Sequence, residues 1–293
     1  MGVQDFDPAV QEAINRRQSP ELTEACIHTA RQAGFQSISL DLIYGLPRQQ
    51  PVNFHQTLDQ VLALDPDRIS LFNFAYMPER LRHQKALPAA DLPGPETKLD
   101  LFILAWTRLR AAGYQHIGMD HFAKESDPLW QALQNHSLQR NFQGYTTHAG
   151  CDLHAFGSSS ISSFGRVYAQ NLKNPRDYEA ALGRNLRPLW RGLLLNKEDL
   201  LRREIIMELM CHFSLDWTAL GQRHDLDPAQ HFASEWEALK ELEDEGLLRC
   251  SDQSLQILPL GQLVIRNICL IFDSAARHST PARSSAPTHS RSL

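Results

Sequence analysis

The residues best suited to chemistry sit at the ends of apolar runs. Ser37 to Pro47 reads SISLDLIYGLP: Ile38, Leu40, Leu42 and Ile43 are strand-like, and Tyr44, Gly45 and Pro47 break the pattern. A buried strand that ends in a Gly/Pro turn opens, in an α/β fold, onto the crevice where ligands bind. Asp41 lies inside that strand. A carboxylate buried without a partner is costly. Asp41 is therefore either a structural group held by a backbone N–H or an Arg, or a functional one. Asp120 and His121 close a later apolar stretch, and His is a common acid or base near neutral pH. A structural, hydrogen-bonded His fits the same place. Arg16, on the first helix, suits bidentate binding of a carboxylate or phosphate, or simple solvation. His148, Cys151 and His154, with Asp152 among them, have metal-ligand character but lack a fourth ligand at standard spacing.

Alternating elements position these groups. Asp7 and Pro8 open a short helix containing Val10, Ala13 and Ile14. A helix follows from about Glu21 to Ala33, with Leu22, Cys26, Ile27 and Ala30 facing inward and Gly34 ending it. Val52–Leu64 reads as a third helix, with Phe54, Leu58, Val61 and Leu62 inside. Arg68–Tyr76 and Tyr114–Phe122 read as strands flanking a helix over Glu96–Ala112, whose apolar face is Leu99, Phe102, Ile103, Trp106 and Leu109. Strands alternating with helices predict parallel βα units. Lys124–Gly150 is polar and irregular, though Phe142 and Tyr145 favour order, and Leu153–Phe164 is rich in Gly and Ser.

The character changes near Leu195. Helices over Asp199–Phe213, Trp217–Arg223 and Phe232–Glu245, a hairpin over Leu247–Gly261 and a helix over Gly261–Phe272 make a winged-helix-like order. Glu235, Glu237, Glu241, Glu243, Asp244 and Glu245 surround Lys240, the wrong sign for a recognition helix on phosphates. Ser274–Leu293 offers almost nothing to bury and reads as disordered. The fold class is α/β with a helical C-terminal domain, and the divisions expected are 1–170, 171–273 and a 274–293 tail.

A net charge of −5 argues against non-specific binding to nucleic acid or membranes, and 42% apolar residues suffice for a sizeable core. No apolar run reaches membrane-spanning length. Met1 is followed by GVQDF, without the basic and apolar regions of a secretory leader. Cysteines 26, 151, 211, 250 and 269 form no C-x-x-C pair and no disulfide framework, as in a reduced, cytoplasmic protein.

In order along the chain, MGVQDF, the Ala13-Ile14-Asn15-Arg16 helix end, DLIYGLP, NFAYMP, GYQHIGMDHFA, RNFQGYTT and WRG (Trp190–Gly192) resemble the oxygen-independent coproporphyrinogen III oxidases, a family of radical S-adenosylmethionine (SAM) enzymes. The resemblance implies the later βα units of a partial TIM-like barrel, with a C-terminal helical domain. It implies a four-iron, four-sulfur cluster, two SAM molecules and an electron donor. The implied reaction is oxidative decarboxylation of two propionates of coproporphyrinogen III to vinyls, giving protoporphyrinogen IX for haem, in a family that is monomeric. Gln4, Arg16, Asp41, Ala75 and Ile161 match family positions that contact SAM, and Gln143, Tyr145 and Thr146 fall in the signature expected near substrate. Related radical-SAM haem chaperones carry a His-Asn-x-x-Tyr-Trp pattern where this chain has Arg140 to Tyr145 as RNFQGY, which matches the oxidases. A non-catalytic tetrapyrrole- or partner-binding module is the other class the sequence allows.

One departure is large. The family's Cys-x-x-x-Cys-x-x-Cys motif is absent, as are its early strands, its glycine-rich SAM-binding turn and a Glu on the catalytic side. The resemblance begins mid-barrel, so the expectation is a chain carrying the later barrel units, with no metal ligands and no catalytic residue identified in it. Half a barrel leaves an open edge and exposed apolar faces, which predicts poor solubility and no activity for this polypeptide alone.

Overall fold

The computed structural model describes residues 1–273; the tail expected from Ser274 lies outside them. The chain divides into two compact units, the first spanning Met1–Gln134 and the second beginning at Asn135.

The first unit runs β1 (Gly2–Gln4), α1 (Pro8–Ala13), α2 (Pro20–Gln32), β2 (Ser39–Tyr44), α3 (Pro51–Ala63), β3 (Arg68–Asn73), α4 (Pro95–Ala111), β4 (Gln115–Gly118), β5 (His121–Ala123) and α5 (Pro128–Gln134). Asp7 caps α1, accepting from the Ala9 and Val10 amides, and Ser19 accepts from Leu22 at the start of α2. Both helices begin with the proline that the sequence places there. Gly34 follows α2 at φ +89° and Gly113 follows α4 at φ +88°, a backbone shape that ends a helix and that glycine takes most readily.

The sheet order is β1-β2-β3-β5-β4. β1, β2 and β3 are parallel, joined by helical crossovers. The expected single strand Tyr114–Phe122 is instead a hairpin. Gly118 (φ +155°) and Met119 (φ +48°) turn the chain, so β5 runs antiparallel to both β3 and β4. Among the described residues β1 has a neighbour on one side only.

Alternation in β2 separates two faces. Leu40, Leu42 and Tyr44 are buried, as are Phe54, Leu58 and Val61 of α3 and Leu101, Phe102, Ala105 and Leu109 of α4. The Tyr44 and Phe102 rings lie 5.5 Å apart. The expected inner face of α4 is corrected here. Leu99 and Ile103 are exposed, and Leu101, Phe102, Ala105 and Leu109 face the core. The run LDLFILAW supports several helical stripes, and only packing chooses among them. Likewise α2 buries Thr23 and Ile27 and leaves Leu22 and Cys26 exposed.

The second unit continues with β6 (Gln139–Asn141), β7 (Gly144–Thr146), β8 (Ile161–Phe164), β9 (Val167–Asn171), α6 (Pro175–Gly183), β10 (Leu189–Leu194), α7 (Lys197–His212), β11 (Ser214–Asp216), α8 (Trp217–His224), α9 (Pro228–His231), α10 (Ala233–Asp244), β12 (Leu248–Cys250), β13 (Ser254–Ile257), α11 (Pro259–Leu263) and α12 (Ile265–Leu270). The stretch expected to be irregular between Lys124 and Gly150 holds α5 and the β6–β7 hairpin. β8, β9 and β10 form an antiparallel meander. The winged-helix-like order is present, with one addition. β11 follows α7 and pairs with β13, which pairs with β12, so the sheet reads β11-β13-β12. Trp217 is buried with Phe232, Trp236 and Phe272 around it, ring centroids 5.5–6.2 Å apart. The expected final helix is broken at Val264, whose ψ of 23° interrupts it between α11 and α12.

Candidate functional site

The face of the sheet opposite the α3–α4 core carries the candidate residues of the first unit. Strand register sets Asp41 beside Gly2 on one side and Ser70 on the other, and Ser70 beside His121. One step toward the carboxyl ends, Ile43 pairs with Phe72, which is partly exposed and meets the His121 ring edge-on at 6.0 Å. Asp41 is half-buried. Its amide donates to the Met1 carbonyl at 2.9 Å, but its carboxylate has no hydrogen-bond or ion-pair partner among the described residues.

Gln4 and Arg16 both reach Gly2, the β1 residue beside Asp41. The Arg16 guanidinium donates to the Gly2 carbonyl at 2.7 Å and to Gln18 Oε1 at 3.2 Å. A Cβ on Gly2 would lie 2.5 Å from Gln4 Nε2 and 3.4 Å from Arg16 Nη2, so both side chains close over the glycine. Gln4 adopts φ +69°, which bends the chain at the end of β1. Ala75 lies just beyond β3, its carbonyl accepting from Gln84 Nε2 at 2.9 Å. Gln4 and Asp41 thus lie on the adjacent strands β1 and β2, and Ala75 follows β3, the neighbour of β2; Arg16, expected on the first helix, lies three residues past the end of α1 and reaches back to β1.

A buried polar network shapes the adjoining loops, and sequence reading missed it. Asp5 is fully buried and accepts from the Asp7 amide at 2.7 Å, Thr57 Oγ1 at 2.6 Å and Gln49 Nε2 at 2.6 Å. Gln49 Oε1 in turn accepts from the amides of Gly45 and Leu46, within YGLP. Burial pushes the Asp5 carboxyl above its ordinary range, against the pull of those donors. Residue type gives no signal for such a role; the only hint was an acid between apolar Val3 and Phe6.

In the second unit Ile161 opens β8, opposite Gln170. Gln143 is exposed at the β6–β7 turn, its amide donating to Asn141 Oδ1 at 2.8 Å. Tyr145 is buried and its hydroxyl donates to the Met210 carbonyl of α7 at 2.9 Å. Thr146 Oγ1 accepts from the His148 amide at 3.1 Å. Neighbours on a strand face opposite ways, so Tyr145 and Thr146 occupy different faces of the hairpin.

Comparison with known proteins gives this arrangement its context. Over 273 residues the chain is 45% identical to an oxygen-independent coproporphyrinogen III oxidase from Pseudomonas aeruginosa, covering 93% of this chain and 59% of that protein. It is 47% identical over 275 residues to the protein of that name from Thermostichus vulcanus, covering 93% of this chain and 84% of the relative. The chain belongs to the oxygen-independent coproporphyrinogen III oxidase family. The solved structure described as coproporphyrinogen III oxidase (HemN) from Escherichia coli, a radical SAM enzyme, superposes with a TM-score of 0.92 at 43% identity, over 94% of this chain and 63% of that one. The model of the HemN C-terminal domain matches residues 195–264, the winged-helix-like part of the second unit. The α/β barrel portion with a helical C-terminal domain is thus the fold of the radical SAM oxidases. The chain spans about three fifths of the Pseudomonas and Escherichia coli oxidases.

The family's iron–sulfur cluster does not fit the residues present. Cluster ligands are thiolates gathered in one place. Among the described residues no group of three or more His, Cys, Asp or Glu is placed to hold a metal ion. Burial raises the thiol pKa of Cys211 and Cys269 to about 12 and of Cys250 to about 11, while Cys26 and Cys151 are exposed. His154 stacks on Phe164 at 6.0 Å. A SAM site fits better, because Asp41 is a half-buried acceptor left unused inside the fold. Among the described residues no helix is long and apolar enough to cross a membrane.

Proposed function

We propose that this chain supplies the SAM-holding and substrate-side portion of an oxygen-independent coproporphyrinogen III oxidase. The overall reaction is oxidative decarboxylation of two propionates of coproporphyrinogen III to vinyls, yielding protoporphyrinogen IX. The observation that carries the reading is the Asp41 carboxylate, half-buried on the open sheet face with no partner. An unpartnered buried acceptor is costly unless a ligand satisfies it.

Asp41 accepts from the ribose hydroxyls or amino group of a bound SAM. Arg16 holds the methionyl carboxylate, or orients Asp41. Gln4 adds an amide to the same corner. Ala75 offers apolar surface to an adenosyl group without competing donors. Gln143 and Thr146 contact substrate, and Tyr145 holds the hairpin that presents them through its bond to Met210. Bound SAM, given one electron by a cluster from other sequence, would supply hydrogen abstraction at a propionate β-carbon; loss of carbon dioxide and transfer of one electron to an acceptor would complete each vinyl. The thiolates for a cluster are not gathered in these 293 residues, so turnover needs them from other sequence. The division into a barrel part over 1–170 and a helical part over 171–273, a cytoplasmic setting, a monomeric state and an external electron donor belong to the same reading.

Calorimetric titration of the purified chain with SAM tests it. Wild type is expected to bind. Asp41→Asn is expected to weaken binding by roughly 10- to 100-fold, the range of a lost charge-assisted hydrogen bond. Equal affinity in both, or no binding by wild type, overturns the assignment. Mixing the chain with the cysteine-bearing N-terminal part of a family member, followed by anaerobic assay on coproporphyrinogen III, tests the whole reaction.

A further inference from the structure

Lys98 is a cation that the reading above does not use. It lies in the first turn of α4, and its side chain runs over Gly45 in the turn after β2. A Cβ on Gly45 would come within 2.9 Å of Lys98 Cε and 3.4 Å of Nζ, and Gly45 is at φ +87°. The turn favours glycine for its backbone, and the lysine stem packs directly over it. Lys98 Nζ reaches the Phe74 carbonyl at 3.4 Å, one residue before Ala75. The Phe74 amide donates to the Tyr44 carbonyl at 2.8 Å, so the ammonium sits where the carboxyl ends of β2 and β3 are tied together.

No carboxylate among the described residues lies within ion-pair distance of Lys98, and one weak carbonyl contact does not satisfy an ammonium with three donors. Desolvation lowers its pKa without an opposing acid. Other half-buried cations of this unit are paired: Arg68 with Asp127 at 2.7 Å, and Arg31 with Asp67 at 2.5 Å. In open α/β sheets, ligands bind at the carboxyl ends of the strands.

We propose that Lys98 binds a ligand carboxylate at this edge, a role that rests on the function proposed above. A carboxylate could come from a propionate of the tetrapyrrole or from the methionyl end of SAM. Both present the same group, and an ammonium recognises it as a point charge.

The test is a pair of equilibrium titrations of the purified 293-residue chain. One uses coproporphyrin III, with its tetramethyl ester as the uncharged control. The other uses S-adenosylhomocysteine. Lys98→Met keeps the apolar stem over Gly45 and removes the charge; Lys98→Arg keeps a charge. Lys98→Met is expected to lose roughly 10- to 100-fold in affinity for one probe. Lys98→Arg is expected to recover part of it, and the thermal midpoint is expected to hold. Loss for coproporphyrin III but not its ester assigns the propionate; loss for S-adenosylhomocysteine alone assigns the methionyl carboxylate. Unchanged affinity for both probes overturns the role of Lys98 while leaving the function standing. Failure of wild type to bind either probe overturns both.

Discussion

Asp41 and Asp5 are both acids near one sheet edge, and their partners give them opposite behaviour. Asp41 has none among the described residues and is only half-buried, so water still serves it in the free chain and Asp41→Asn is expected to leave stability nearly unchanged while ligand binding falls. Asp5 accepts three hydrogen bonds inside the core. Asp5→Asn turns one acceptor into a donor facing the Gln49 or Thr57 donor, and an unsatisfied buried group costs about 1–3 kcal/mol. Urea denaturation of the two variants separates these cases, and equal stability losses would remove the distinction. Asp41 was legible in the sequence because a charge in an apolar strand stands out. Asp5 and Gln49 were not, because burial of a polar side chain depends on which donors the fold brings to it. His212 shows the same limit. Its Nδ1 is buried without a partner, and its ring lies 5.2 Å from that of His136. Burial, and then His136, lower its pKa. The folded state therefore resists protonation. The stability His212 contributes is whole above the unfolded pKa of about 6.5 and is lost as pH falls through the lower folded value. Thermal melts from pH 7.5 downward are expected to show this loss, and His212→Asn to flatten it; identical slopes would refute the assignment.

At the scale of elements, the second unit depends on one buried ion pair and one close glycine contact. Arg202 of α7 bonds Glu235 of α10 at 2.8 Å, Glu198 at 2.5 Å and the Phe272 carbonyl at 3.3 Å. Glu235 is 1% exposed. Removing one member leaves an uncompensated buried charge, so Arg202→Met is expected to cost about 3–5 kcal/mol. The exposed Arg223–Glu204 pair, at 2.7 Å, is expected to be worth about 1 kcal/mol or less. Denaturant midpoints for the two truncations decide this, and similar losses would contradict it. Gly261 of α11 lies against the Leu247 carbonyl, where an added Cβ would sit 2.0 Å from the oxygen. Gly261→Ala is expected to destabilise by about 1–3 kcal/mol through overpacking against backbone. In sequence Glu235 read as one more acid on a solvated helix, and Gly261 as an end marker. Helix and strand identities followed from periodicity and caps. Errors fell where periodicity was degenerate, in the apolar run of α4; where a turn or break was hidden, at Gly118 and Val264; and where a short helix and hairpin, α5 and β6–β7, lay in a polar stretch.

At the scale of the molecule, the parallel core β1-β2-β3 carries Asp41 on one face and Lys98 at its carboxyl edge, but the chain's thiols are dispersed. A cluster binds deprotonated sulfur, and a thiol held near pKa 11 or 12 is protonated at neutral pH. Three of the five cysteines are in that condition, and the two exposed ones have no companions placed to hold a metal among the described residues. Reconstitution of the purified chain with iron and sulfide under anaerobic conditions is therefore expected to leave no stoichiometric cluster after desalting, by iron analysis and by the cluster's visible absorption. The same preparation is expected to bind SAM through the Asp41 corner, because that corner consists of β1, β2 and the loop after α1 and requires no metal to form. Retention of about four irons per chain would show that the thiols move together on loading. Ligand binding that appeared only with iron present would show that the corner is not formed in advance. Binding without iron would separate ligand capture, by these residues, from electron delivery, by a cluster whose thiolate ligands other sequence would supply.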